Sequence, residues 1–234
     1  MTSVRAILPA AGLSRRMGAA NKLLLPIDGR PMIRHMAALY TEATGAPPLV
    51  VTGHEAEAVE AALAGSGAIC LRNPDYARGQ AGSVACGLGA APEAAAYLIA
   101  LGDQPLLRAA DIRALLDAHW AGGNRRISIP CKGAARGNPV VVPRAFRARL
   151  LADPRNPGCG RFTRENAEHV ARIACDAPGF YHDIDTPEAY RALFGPERGA
   201  RTRRLLRAIT ALRRCVALTP QQADALASMK FPCC

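Results

Sequence analysis

Between Leu8 and Lys22 the chain reads LPAAGLSRRMGAANK, directly after the apolar run Val4 to Leu8. Ala10, Ala11, Gly12 and Gly18 keep bulk away from the main chain, so bare N–H groups can approach an anion. Ser14 adds a hydroxyl, and Arg15, Arg16 and Lys22 bring the compensating positive charge. That combination suits a triphosphate cradle; the alternative is a Gly-rich surface loop with solvated arginines. Two familiar phosphate loops are excluded. A Walker loop needs Gly-Lys-Ser/Thr five residues after its first glycine, where this chain has Met17, and Lys22 is followed by Leu23. A dinucleotide fingerprint needs G-x-G-x-x-G, and Gly12 is followed by Leu13 and Ser14.

Three later positions carry further chemistry. Gly79, Gly82 and Ser83 precede or open an Ala-rich helix, so Ser83 reads as a helix cap, a ligand contact or both. Asp103, in Gly102-Asp103-Gln104-Pro105, follows an apolar strand and is placed either to hold a metal or to cap a turn. Asp183 and Asp185 precede Thr186-Pro187-Glu188, a helix start. Asp185 and Thr186 sit where capping needs them, which leaves Asp183 freer to reach a cation. His182 has no partner at ligand spacing and reads as structural.

The elements that would position these groups alternate. After the first strand come a helix over 31–43, the strand Leu49 to Thr52, a helix through Leu63, a strand at 68–71, the Ala-rich helix to about Gly89 and the strand Tyr97 to Leu101. A helix over 109–120 follows, then a strand pair at 127–130 and 138–142, whose linker Cys131 to Gly137 is either a lid or a plain hairpin loop. A helix over 143–151, a turn-rich break at 156–160, a short helix from Arg161, a strand at 170–175 and a helix from Thr186 complete the body. The pattern predicts a doubly wound, mostly parallel α/β sheet, with small-molecule chemistry along one edge. One domain over 1–195 is expected, with a tail over 196–234 in which Leu205, Ile209, Leu212 and Val216 share one helical face opposite Arg203, Arg207 and Arg214. Thr219-Pro220 starts a second short helix there, and Cys233-Cys234 ends the chain without a full prenylation motif.

At 234 residues the chain can bury a sizeable core. Its net charge of +11 is uneven, because residues 196–234 hold eight Lys/Arg against two Asp/Glu, more than half the excess. Aromatic residues are 5% and do not interleave with basic runs, so specific nucleic-acid binding is not expected. No stretch reaches the roughly 18 apolar residues of a membrane span, and no secretory h-region opens the chain, which leads to a cytoplasmic expectation. Eight cysteines without C-x-x-C or zinc spacing read as buried free thiols. The basic tail would dock on the domain, on a sister subunit or on an acidic partner or membrane surface.

Taken together, AAGLSRRMGAANKLLLP, NPDYARGQAGSVACGL, ALGDQPLL, RGNPVVVPRAF and DIDTPEAY resemble, in order, the MobA-like nucleotidyltransferases, and most closely the molybdenum cofactor cytidylyltransferase branch. The resemblance implies a Rossmann-like nucleotidyltransferase fold and transfer of CMP from CTP to the terminal phosphate of molybdenum-bound molybdopterin, releasing pyrophosphate. It implies that Ala11, Gly12, Ser14, Arg16 and Lys22 hold the triphosphate, that Leu8, Ala10, Gly79 and Ser83 hold the base, and that Asp103 with Asp183 holds Mg2+, with Mn2+ as a substitute. Arg16, Lys22 and Asp103 would be the catalytic set. GTP or another NTP, a sugar-phosphate or other small-phosphate acceptor, and a non-catalytic carrier that delivers a nucleotide-loaded cofactor to a molybdenum hydroxylase through the tail are the alternatives. Residues 157–162, PGCGRF, depart from the family pattern, and the tail lies outside the resemblance.

Overall fold

In a computed structural model of the chain, residues 3–18, 20–152 and 159–195 are described. The expected break at 156–160 lies mostly outside them, and the amphipathic tail, its second helix and Cys233-Cys234 lie wholly outside. The chain divides into two compact units, Met1–Pro187 and Glu188–Cys234.

The elements of the first unit run β1 (Val4–Ala10), β2 (Pro26–Ile27), β3 (Arg30–Pro31), α1 (Met32–Thr44), β4 (Leu49–Thr52), α2 (Ala56–Leu63), β5 (Ile69–Arg72), α3 (Gln80–Ala90), β6 (Ala96–Ile99), α4 (Ala109–Ala121), β7 (Ile127–Lys132), β8 (Ala135–Arg136), β9 (Val140–Pro143), α5 (Arg147–Leu151), α6 (Cys159–Glu165) and β10 (Val170–Ala174). A helix α7 spans Pro187–Phe194 at the unit boundary. The main sheet has the order β10-β7-β9-β6-β1-β4-β5, with β8 paired to β7. β1 is parallel to both β4 and β6, β4 to β5 and β10 to β7, whereas β9 runs against β6 and β7. The expected doubly wound, mostly parallel sheet is therefore the architecture observed.

β1 is central and covered on both faces, so it reads as an apolar run rather than an alternating one; Ala6, Ile7 and Leu8 are all fully buried. β4 and β6 are buried along their whole length, while the edge strand β5 leaves Ile69 and Cys70 exposed. On one face α3 and α5 pack over a cluster of Ile7, Val51, Tyr97, Ile129, Val142 and Leu150. α1 packs on β1 together with α4 and α2, burying Met32, Ile33, Met36, Ala37 and Tyr40 at helical spacing.

Two expectations are corrected. The linker read over 131–137 is mostly strand: β7 continues to Lys132, Gly133 takes φ +57°, and the chain doubles back at once as β8, pairing Cys131 with Arg136. A residue free to adopt positive φ allows that two-residue turn. The thiols are also less buried than expected: Cys131 is buried, Cys86, Cys159 and Cys175 are intermediate, and Cys70 is exposed, all unpaired. No helix of the described residues is long and apolar enough to cross a membrane.

Candidate active site

The winding of the sheet reverses at β1. β4 and β5 lie on one side of it and β6 on the other, and the carboxyl ends of strands at such a reversal open a crevice. The loop after β1 and the loop after β6 both enter a cleft of about 450 Å³ there, joined by the start of α3 and by Asp185.

After β1 the chain turns sharply. Ser14 adopts φ 45°, ψ 30°, and its hydroxyl accepts a hydrogen bond from Lys22 N–H at 3.4 Å, closing the loop upon itself. Arg15–Met17 form a single 3-10 turn, with Met17 buried beneath it. A second turn, Lys22–Leu24, is capped by Asn21, whose Oδ1 accepts from Leu23 N–H at 3.1 Å. Ala11, Gly12, Ser14, Arg15, Arg16 and Lys22 consequently line the cleft. A Cβ placed on Gly12 would meet no atom within 4 Å, so its side is open to the cleft.

Leu8 and Ala10, expected to hold the base, do not line the cleft, whereas Pro9 and Ala11 do. Alternation along β1 explains this: Leu8 and Ala10 are 0% and 1% exposed and point into the core. Gly79 takes φ 109°, a region that favours glycine, and immediately precedes α3. Ser83 lies within the first turn of α3 rather than at its cap, and its buried hydroxyl accepts from Asn73 Nδ2 at 3.0 Å. Both line the cleft, and the capping alternative for Ser83 is set aside. Tyr76 and Gln80 border the same space; no spacing rule picked them out beforehand.

The charged centre is built from three segments. Lys22 Nζ donates to Asp103 Oδ2 and, at 2.8 Å, to Asp185 Oδ1; Arg16 pairs with Asp185 Oδ2 at 2.8 Å. The Lys22 and Asp103 side chains are only 18% and 12% exposed, so water screens them little, whereas Arg16 is 73% exposed and its pair contributes little. Burial works against the Lys22 ammonium, yet Asp103 and Asp185 outweigh it and raise its pKa above the usual value. For Asp185 burial favours the neutral acid, but Lys22 and Arg16 prevail and hold its pKa below the usual carboxylate range.

The two aspartates of DIDTP part company around Ile184. Ile184 N–H donates to the Asp103 carbonyl at 2.8 Å and its side chain is buried. The carboxylates on either side of it nevertheless find different partners. Asp185 enters the cleft; Asp183 turns to Gln104, accepting from Nε2 at 2.9 Å, and is absent from the cleft lining. Burial and the nearby charge of Asp103 raise the Asp183 pKa. The structure thus brings Asp103 together with Asp185, where Asp183 was the expected partner. His182 remains structural, its Nδ1 2.8 Å from Pro178 O.

Asp103 Oδ1 is buried and has no hydrogen-bond partner, while Oδ2 already shares one cation with Asp185. Among the described residues no three His, Cys, Asp or Glu gather as a complete metal site. Two carboxylates with a spare buried oxygen fit a hard divalent ion such as Mg2+ or Mn2+, which draws its remaining oxygens from phosphate and water.

Residues 6–171 match the family described as MobA-like NTP transferase domain. The bifunctional protein GlmU of Pelobacter propionicus is 36% identical over 179 residues, covering 74% of this chain and 34% of that protein, so the chain spans about a third of the length of such relatives. The nicotine blue oxidoreductase of Paenarthrobacter nicotinovorans is 30% identical over 199 residues, covering 81% of this chain and 96% of that one. Among solved structures, a nucleotidyl transferase from Methanothermobacter superposes with TM-score 0.69 at 23% identity, over 86% of this chain and all of that one. Rv0371c of Mycobacterium tuberculosis, solved with manganese, superposes with TM-score 0.63 at 25% identity, over 82% and 98%.

Proposed function

The chain belongs to the MobA-like NTP transferase family, and from that premise we propose that it transfers CMP from CTP to the terminal phosphate of molybdenum-bound molybdopterin, releasing pyrophosphate. One observation carries the nucleotidyl-transfer part: Arg16, Lys22, Asp103 and Asp185 converge on a single cleft, beside a loop stripped of side-chain bulk. The choice of CTP and of the pterin acceptor rests on the five sequence segments.

An oxygen of the acceptor phosphate attacks the α-phosphorus in line, a new P–O bond forms, and the bond to the β-phosphate oxygen breaks. A phosphate monoester is largely ionised near neutral pH, so no general base is required. The protein's share is positioning and charge neutralisation. Ala11, Gly12 and Ser14 border the triphosphate, and Arg16 and Lys22 stabilise the departing pyrophosphate. Asp103 and Asp185 would hold the divalent ion. When bound, the ion supplies Lewis-acid polarisation of the phosphoryl oxygens. Gly79 and Ser83 border the base.

The experiment is direct: pure protein with Mg2+, molybdenum-loaded molybdopterin and each of the four NTPs in turn, with the nucleotide product identified by mass. A CMP adduct is expected, and no product with any NTP would refute the proposal. The near-full-length match to a nicotine blue oxidoreductase favours a second, redox reading. Substrate-dependent redox turnover without any nucleotide product would support that reading instead.

A further inference from the structure

We propose that Lys22 is a stand-in for the divalent ion in the nucleotide-free protein, and that an arriving triphosphate admits the metal by drawing Lys22 off the two carboxylates. The inference rests on the metal reading above. Asp103 Oδ2 and Asp185 Oδ1 converge on one point, and Lys22 Nζ fills it. A cation bonded to both oxygens must take that place, so ammonium and metal exclude one another there. Asp103 Oδ1, buried and unpartnered, keeps a coordinating atom in reserve beside it.

Lys22 can leave because its charge sits on a flexible four-carbon stem with rotatable donors, and because the same residue lines the cleft that would receive the phosphates. Arg15, which also lines the cleft and makes no ion pair among the described residues, gives a polyanion a first foothold. Once Lys22 turns to phosphate, the buried Asp103 carboxylate loses its counterion and Asp185 keeps only the exposed Arg16, so a divalent cation becomes the better partner. By linkage, nucleotide and metal then strengthen each other's binding.

Nucleotide phosphates also coordinate metal directly, so the test omits nucleotide. Mn2+ binding to the nucleotide-free protein is measured by calorimetry and by electron paramagnetic resonance. K22M should bind Mn2+ about ten-fold or more tightly than wild type, a change within the range of ordinary coupling. R15M removes an equal charge from the cleft without touching the carboxylates, and its effect, a screened long-range field, should stay within about two-fold. K22R, which keeps a cation, should bind as weakly as wild type. K22Q replaces K22M if the latter melts early. Equal affinity in wild type and in the folded Lys22 variants, or equal tightening by R15M, would overturn the displacement while leaving the metal site intact. If Asp103→Asn left Mn2+ binding unchanged in K22M, both the displacement and the metal reading would fall.

Discussion

Ile184 decides the roles of two identical side chains. With its N–H on the Asp103 carbonyl, one aspartate joins Lys22 and the other joins Gln104. The helix-start rule pointed elsewhere, because a residue just before Thr-Pro-Glu is expected to spend its carboxylate on capping. Periodicity holds no signal that separates them, because residues two apart share a face in extended chain; their partners Lys22 and Gln104, remote in sequence, decide it. Asp185→Asn should therefore weaken Mn2+ affinity and turnover by about ten-fold or more, on the scale seen when groups that hold a metal are altered. Asp183→Asn should leave Mn2+ affinity within a few-fold. The reverse ranking, read by calorimetry and by steady-state pyrophosphate release, would restore Asp183 as the ligand. Arg16, Lys22 and Asp103 were legible as candidates because cations beside small residues suit phosphate and a carboxylate just after an apolar strand suits a metal. Leu8 and Ala10 turn into the core while Pro9 and Ala11 line the cleft, because a motif names positions, whereas pleating decides which side chains face the cleft.

At the scale of elements, α3 sets how closely Gly79 and Ser83 approach the first loop. A Cβ on Gly87 would lie 2.5 Å from Ile7 Cγ2 and 2.8 Å from Val51 Cγ2, so the helix rests directly on β1 and β4. Gly87→Ala should destabilise the protein by about 1–3 kcal/mol through overpacking. Gly89, two residues further along the helix and exposed, has only Leu151 Cδ2 nearby, at 3.9 Å. Gly89→Ala should stabilise by up to about 1 kcal/mol, the helix-propensity difference. Denaturant unfolding of both variants checks the pair, and equal effects would refute the close packing. On the opposite face α4 carries buried His119, with Nδ1 2.8 Å from Ser128 Oγ and Nε2 2.7 Å from Asn124 Oδ1. Asn124 Nδ2 donates to Ala95 O at 3.2 Å, which turns Oδ1 toward the ring and keeps the proton on Nε2. Burial lowers the His119 pKa below 6.5. The unfolded chain thus takes up this proton first: the stability from neutral His119 is present above pH 6.5 and declines as pH falls toward the folded value. His119→Gln should lessen the fall in Tm between pH 7 and pH 5; an unchanged fall would contradict it. Helices and central strands were legible from periodicity, but β8 was not, since two residues carry no period and their pairing depends on Gly133.

Across the whole molecule, alternation of strands and helices sufficed to anticipate a parallel sheet with its chemistry on one edge. Strand order was less accessible, because the antiparallel insertion of β9 between β6 and β7 depends on contacts remote in sequence. The reversal at β1 explains why chemistry spread over residues 11–185 gathers in one cleft: loops following strands on both sides of the reversal open toward the same crevice. An enzyme and a carrier would share that cleft, and turnover separates them. The decisive measurement is pyrophosphate release under multiple turnover with CTP, Mg2+ and molybdenum-loaded molybdopterin, comparing wild type with Asp103→Ala after both are shown to be folded. Wild type should release one pyrophosphate per CMP adduct over many cycles, and Asp103→Ala should lose at least about a hundred-fold in rate, as when a preorganised electrostatic contact to the transition state is lost. Near-normal release by Asp103→Ala, or tight binding by wild type without release, would contradict nucleotidyl transfer at this site.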